Sequence, residues 1–333
     1  RLSCRRLEHG LLVFGGGVID FNMQRCSVHD CEDAGIYWNV VSSSTTLTTA
    51  VFSNNVTYLL ASVTGGPGFQ INAALTSTNW TIDGNIFMRT GNGNCVTLAD
   101  IGGTFTNNTT ISAASSGTQF GEQDGTFGTF SGNTSHSNAA IGFNFTTGAM
   151  GGVLSSLTGW RNNGAGISFS QSISNLVLDA INLFGNVTSN INFAGSGSLS
   201  LTSPISNGDT TFATTNGIAL AGTSGCNNVV IDNGDYSTVS GIKTAHTNDI
   251  TFTGSLCNPS IILRNTKMGG SNEVAAQSTI SNTGFVAAEK LDQTAGNHKC
   301  WMRGGTLSTD STIFNTASPS MRMAGAIASS PGI

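Results

Sequence analysis

The stretch Asn228-Val229-Val230-Ile231-Asp232-Asn233-Gly234-Asp235 (NVVIDNGD) is a short alternating run of apolar residues that stops on turn formers. Runs of the same kind recur along the chain. They include Asn79-Trp80-Thr81-Ile82-Asp83, Gly103-Thr104-Phe105-Thr106, Gly128-Thr129-Phe130-Ser131, Asn175-Leu176-Val177-Leu178-Asp179 and Ser260-Ile261-Ile262-Leu263. Clusters of Gly, Asn, Ser and Thr separate them, and they return at roughly 20 to 32 residues, the period of a solenoid repeat. A second run begins with Gly-Ile, as in Gly35-Ile36-Tyr37-Trp38, Gly166-Ile167-Ser168-Phe169 and Gly217-Ile218-Ala219-Leu220. Two or three short strands per repeat, joined by tight turns, make one coil of a β-solenoid.

The composition fits. Charged residues are 9% of the 333, and 43 glycines join abundant Ser, Thr and Asn, a mixture that favours turns and strands over long helices. With 38% hydrophobic residues and 18 Phe, the chain has enough apolar surface to fold rather than stay disordered. In stacked coils each strand bonds to its equivalents above and below at about 4.8 Å. Like residues then lie over like, with Ile, Val and Phe ladders inside and Asn and Thr ladders at the turns. About eleven coils of 22 to 28 residues are expected, in a rod about 50 Å long.

This pattern resembles the right-handed parallel β-helix family, which includes pectate-lyase-like proteins and phage tailspikes, over about residues 10 to 285. The resemblance implies an all-β, single-stranded right-handed parallel β-helix (residues 1–285) with a short C-terminal module (286–333). In that module Glu289, Lys290, Asp292, His298, Lys299 and Arg303 crowd together and the repeat fades. His298-Lys299-Cys300-Trp301 and Ile313 to Met323 are similar to a stretch that follows β-helical regions in bacteriophage virion proteins.

Several partner classes find no support. The net charge is -5, and no Lys or Arg lies between Arg89 and Arg161 or between Arg161 and Lys243, so no basic face for nucleic acid is expected. The longest apolar runs, such as Leu11 to Phe14, fall far short of the ~20 residues that cross a bilayer, and no signal-peptide pattern leads the chain. Seven cysteines without paired spacing argue for buried thiols rather than a disulfide framework. Sequons such as Asn55-Val56-Thr57, Asn133-Thr134-Ser135 and Asn186-Val187-Thr188 are frequent by chance in such a chain.

Three groups of residues are candidates for chemistry. In Cys26-Ser27-Val28-His29-Asp30-Cys31-Glu32-Asp33, Cys26, His29 and Cys31 offer three zinc ligands without the second half-site that completes a tetrahedron. Asp30, Glu32 and Asp33 offer oxygens to a cation such as Ca²⁺, or to a sugar. The solenoid reading makes the stretch a strand with Cys26 and Val28 inward, a corner at His29 to Asp33, and a next strand with Ile36 and Trp38 inward. Glu122 and Asp124 share a strand face at a spacing that suits the two carboxyl groups of a glycosidase. Trp160 and Arg161 pair an aromatic ring with an isolated cation, a combination suited to sugar binding or to a solvated corner. Asp232 and Asp235 read as turn formers, and the remaining histidines have no nucleophile partner.

The expectation is a bacteriophage virion structural protein, an extracellular tail fibre or tailspike-like appendage that presents a rigid surface for attachment. It needs no cofactor. It is expected to form a homotrimer and dock to other virion proteins, because solenoid ends expose strand edges. One alternative is a depolymerase acting on host surface polysaccharide through a carboxylate pair. A lyase would need a basic residue that mid-chain composition hardly supplies. Another alternative is a bacterial surface adhesin.

Overall fold

A computed structural model of the chain describes residues 3–5, 11–14, 18–31, 34–40, 46–60, 67–73, 79–91, 93–99, 102–120, 125–146, 150–212, 214, 216–220, 227–237, 241–252, 260–269, 272–276, 285–289, 301–302, 306–310 and 320–324. These residues form a parallel β-solenoid, and no helix occurs among them. One coil runs Trp80–Asp83, Ile86–Thr90, Val96–Leu98, and the next opens at Thr104–Thr106. Equivalent strands stack into sheets of 10, 11 and 13 strands. Sheet I starts at Ser3–Arg5, sheet II at Leu11–Phe14 and sheet III at Val18–Gln24.

Stacking is in register. Along sheet III, Ile82, Phe105 and Phe130 pair in successive coils, then Leu154, Leu178, Leu201, Ile231 and Leu263. All are buried. On sheet II, Phe120 stacks on Phe145 at 4.4 Å and 4°, and Phe145 on Phe169 at 4.7 Å. A buried Phe contributes up to about 3 kcal/mol by burial alone. Where one coil brings a large ring, the next makes room. Trp80 is buried, and a Cβ on Gly103, one coil on, would lie 2.1 Å from its indole.

The corner from sheet III to sheet I explains the Asn, Gly and Ser content. Arg25, Asn54, Gly84, Asn107, Gly132, Ser156, Ala180, Ser203, Asn233 and Asn265 occupy it, with φ between 45° and 69°. Asn and Gly adopt this left-handed region readily. From Arg25 to Asn233 the N–H of each donates to the coil above, as from Asn54 to Asp83 O (2.9 Å) and from Ser156 to Asp179 O (2.8 Å). Because neighbouring coils fix these bonds, even Ala180 accepts the conformation.

The next residue turns inward. Asn55, Asn85, Asn108 and Asn133 form a buried amide ladder. Each accepts the backbone N–H of the preceding coil at Oδ1, as Asn108 does from Asn85 at 3.0 Å and Asn133 does from Asn108 at 2.9 Å. The Nδ2 groups donate inward, Asn85 to Phe52 O and Asn108 to Ile82 O, both at 2.9 Å. A second ladder runs through Asn138, Asn162 and Asn186, with Nδ2 to Oδ1 distances of 2.7 and 2.8 Å. In later coils Leu157 and Ile181 fill the first ladder's corner.

Parallel stacking in sheet III runs on to Phe285–Glu289, which pairs with Ser260–Arg264. Trp301–Met302 then pairs antiparallel with Phe285 and Val286, and Thr306–Asp310 forms an antiparallel pair with Ser320–Ala324. Near the same end, Lys243–Thr244 joins sheet I antiparallel against Gly208 and Asp209.

Candidate functional site

The three sheets differ on their outer faces. From Gln70 through Thr97, Gln119, Asn144, Ser168 and Asn192, sheet II presents uncharged polar side chains. Sheet III presents Thr, Ser and Val, with the carboxylates of Asp83, Asp179 and Asp232 in one column at its edge. Sheet I is inverted in part. Its inward column mixes Thr57, Thr110, Ser135 and Gly159 with Val28, Phe87 and Leu183, while the outward column holds His29, Tyr58, Met88, Ile111, His136, Trp160 and Phe184. At Thr57-Tyr58, Ser135-His136 and Gly159-Trp160 the small or polar residue lies inside and the ring lies outside.

The outward rings stack along the solenoid. His29 lies 4.9 Å from Tyr58 at 15°. His136 lies 4.2 Å from Trp160 at 7°, and Trp160 lies 5.8 Å from Phe184 at 3°. Both faces of Trp160 are therefore covered, and only its edge is open. Burial holds the His136 pKa below the usual imidazole value.

Two cations far apart in sequence meet this column. Lys243 places Nζ 5.2 Å from the Phe184 centroid and 3.4 Å from Asn182 Oδ1. Burial lowers its pKa, while Asp235 acts in the opposite sense. Arg161, at a left-handed corner with φ 53°, donates from Nε to Asp209 Oδ2 at 3.1 Å and sets its guanidinium 5.5 Å from the Phe212 centroid. Burial works against the charge on Asp209. The N–H groups of Thr211 and Phe212 and the Arg161 guanidinium outweigh it and hold the pKa below the ordinary carboxylate range.

Behind this corner the interior turns polar. Asn190, Ser206, Asn207, His246 and Asp249 are buried together with Tyr236. His246 Nε2 lies 3.0 Å from Ser206 Oγ and 3.5 Å from Asn190 Nδ2. Burial pushes the His246 pKa down to about 4, so the ring is neutral at pH 7. Burial also pushes the Tyr236 hydroxyl up, with the Asp249 charge adding to it.

The cysteine and acid stretch resolves differently from its sequence reading. Val28 faces inward, and Cys31 and Ile36 are buried, but Cys26 is only half-buried, with Sγ 3.3 Å from Gln24 O. His29 is no corner residue, because it ends the strand Ser27–His29 and stacks outward on Tyr58. Asp30 takes the turn with φ 54° and places Oδ2 3.1 Å from His29 Nδ1. Cys31 Sγ lies 3.6 Å from His29 O. No group of three or more His, Cys, Asp or Glu able to hold a metal occurs among the described residues. Glu32 and Asp33 lie outside the described residues, as do Glu122 and Asp124 and the side chain of Trp38.

Other candidates fall to structural roles. Asp235 caps its own turn, accepting from Ser237 N at 2.9 Å and Ser237 Oγ at 3.0 Å. Asn55, Asn133 and Asn186, the sequon asparagines, are buried ladder members. Cys95 is buried, and burial raises its thiol pKa to about 12, which makes it inert as a nucleophile. The outward ring column of sheet I is not among the expectations drawn from the sequence. The signal was present in the adjacent pairs Thr57-Tyr58, Thr110-Ile111, Ser135-His136 and Gly159-Trp160.

No protein-family model matches the chain, and no curated protein or solved structure matches it either.

Proposed function

We propose that this chain is a structural attachment protein of a bacteriophage virion, a tail fibre or tailspike-like appendage whose rigid solenoid presents one face for adhesion. The observation that carries this reading is the outer face of sheet I, where His136, Trp160 and Phe184 point outward in register and stack on one another. Nothing in solenoid stacking requires this, since sheet II is built equally well with Gln, Thr, Asn and Ser outside. Outward apolar columns are a mark of interaction surfaces. A stacked rod has few independently mobile parts and so holds such a face rigid at low entropic cost to binding.

In this proposal the protein acts outside the cell, assembles as a homotrimer with other virion proteins, and binds rather than cleaves. Mass spectrometry of purified particles tests it. The chain is expected among virion proteins, and purified protein is expected to adhere to host cells. Recovery from the bacterial surface in the absence of particles would replace the reading with an adhesin. Release of reducing sugar from host polysaccharide, lost on Glu122→Gln, would replace it with a depolymerase.

A further inference from the structure

Among the described residues sheet I ends on a two-residue strand, Lys243–Thr244, which runs antiparallel to Gly208 and Asp209. A solenoid opens most readily from its ends, where a strand has a neighbour on one side only. The lysine of this last strand reaches back across the outer face to Asn182 and Phe184, which flank the buried Leu183 two strands earlier in the sheet. Lys243 Nζ stands 5.2 Å from the Phe184 centroid and 3.4 Å from Asn182 Oδ1, a contact between residues 61 apart in sequence. Ile205 follows Asn182 in the column, and Asp235 follows Ile205. An amine, a carboxamide and a carboxylate thus converge beside an aromatic ring and an isoleucine. Burial favours the neutral form of the amine, and the charge of Asp235 acts on it. A lysine held in this way is a nucleophile once its proton is removed.

We propose that Lys243 and Asn182 join in an intramolecular isopeptide bond, with Asp235 carrying the proton. Asp235 takes a proton from the Lys243 ammonium, and the freed Nζ lone pair attacks Asn182 Cγ. The Nζ–Cγ bond forms as the carbonyl π electrons move to Oδ1. Collapse restores the carbonyl and breaks the Cγ–Nδ2 bond, whose electron pair stays on Nδ2. Nζ passes its surplus proton to Nδ2, which leaves as ammonia, and the proton held by Asp235 converts that ammonia to ammonium. One ammonium side chain and one carboxamide go in, one secondary amide and one ammonium ion come out, and no co-reactant is consumed. The 3.4 Å contact is to the oxygen, and Cγ lies one C=O bond, about 1.2 Å, behind it. The terminal torsion of Asn is broad, so turning the amide presents Cγ to the amine. Holding the two groups in contact supplies the proximity that the same reaction lacks in free solution. The bond ties the last strand of sheet I to a strand two coils earlier and restrains the unfolded chain as a disulfide does, at the end where opening starts. The inference does not rest on the attachment reading, because it follows from the coil path whatever the rod attaches to.

The test is the intact mass and the trypsin fragment map of the purified full chain. The mass is expected to fall below that of the sequence by one ammonia, about 17 Da. No Lys or Arg lies between Arg161 and Lys243 or between Lys243 and Arg264, and trypsin does not cut after an acylated lysine. The digest is therefore expected to hold one internally bridged peptide from Asn162 to Arg264 in place of two peptides divided after Lys243. Lys243→Arg is expected to restore the full mass. Asp235→Asn, which keeps an oxygen for Ser237 N, is expected to slow formation of the bond at least about tenfold. The full sequence mass with complete cleavage after Lys243 in the parent chain would overturn the proposal and leave the contact a hydrogen bond. An ammonia loss that survives Lys243→Arg would also overturn it, placing the loss at a cyclised Asn-Gly pair such as Asn233-Gly234. Unslowed bridging in Asp235→Asn would overturn the role given to that acid. The digest of the parent chain needs no variant and decides the matter where a substitution prevents folding. None of these outcomes bears on whether the protein is found in virions, so the attachment reading fails or stands separately.

Discussion

Replacing Asn108 by alanine is expected to destabilise the solenoid by about 3 to 5 kcal/mol, whereas glycine at the adjacent Asn107 changes stability by less than about 1 kcal/mol. The two residues share a side-chain type and a turn, but not an environment. Asn108 is buried and occupies the middle of the amide ladder. Its Oδ1 accepts both the backbone N–H and the Nδ2 of Asn85, at 3.0 and 2.9 Å, and its Nδ2 donates to Ile82 O and to Asn133 Oδ1. Alanine leaves the buried Asn85 N–H without an acceptor, which costs about 1 to 3 kcal/mol, and removes further bonds of about 1 kcal/mol each. A small cavity adds to this.

Asn107, by contrast, sits at the left-handed corner with φ 54° and makes an exposed 2.9 Å bond to Asp83 Oδ1. Glycine loses that bond but relieves the backbone, and the two effects nearly cancel. Urea unfolding followed by circular dichroism gives the global cost. Because a solenoid can open coil by coil, hydrogen exchange at the Asn85 amide gives the local one. An Asn108→Ala cost below about 1 kcal/mol, or an equal cost for both substitutions, would refute the ladder as a structural element.

Two further perturbations follow from buried groups. His246 has a folded pKa of about 4 against about 6.5 unfolded; its stabilisation is therefore complete above pH 6.5 and is lost as pH falls toward 4. The loss is about 2 kcal/mol at pH 5 and about 3 kcal/mol at pH 4; thermal melts of His246→Gln between pH 7 and pH 4 should show a correspondingly shallower decline than the parent, and parallel declines would contradict this account. Gly103→Ala drives a methyl group into the Trp80 indole and is expected to cost about 1 to 3 kcal/mol. Trp80→Leu in the same chain should recover part of that cost in a double-mutant cycle, and simple additivity of the two losses would show that the ring and the glycine do not compete for space.

The repeat was legible because parallel stacking forces like residues into register, so the alternation around Trp80-Thr81-Ile82 reappears at Thr104-Phe105-Thr106 and at Thr129-Phe130-Ser131. The Asn-rich corners were legible for the same reason, since a left-handed turn and a buried amide acceptor both select Asn. Corner residues such as Arg25, Ser156 and Ala180 were not. Their φ values come from the hydrogen bonds of neighbouring coils and from no local preference. The site was less legible than the fold. Trp160 and Arg161 stood out as an aromatic next to a lone cation, but Lys243 and Phe184, far off in sequence, join them only through the coil path. The role of His29 was misjudged because a three-residue strand such as Ser27–His29 carries too few alternations to tell its last residue from the first of the corner.

The inverted face of sheet I also has a consequence for how the solenoid is held together. In a column that elsewhere buries Val28, Phe87 and Leu183, turning Thr57, Thr110 and Ser135 inward places hydroxyls against the core, and each needs a partner. Thr110 and Ser135 find one in each other at 2.7 Å, and Ser135 Oγ reaches Gly142 O at 2.9 Å. Thr57 Oγ1 is buried with no partner among the described residues, a cost of about 1 to 3 kcal/mol. Ring stacking outside returns about 0.5 to 1.5 kcal/mol per pair, which offsets the burial of polar groups without exceeding it. A sheet built in the ordinary sense, with the ring inside and the hydroxyl outside, would gain the burial and lose nothing in hydrogen bonding. The arrangement is therefore not one that stability alone selects, and sites where a fold departs from its own rule are where function is expected.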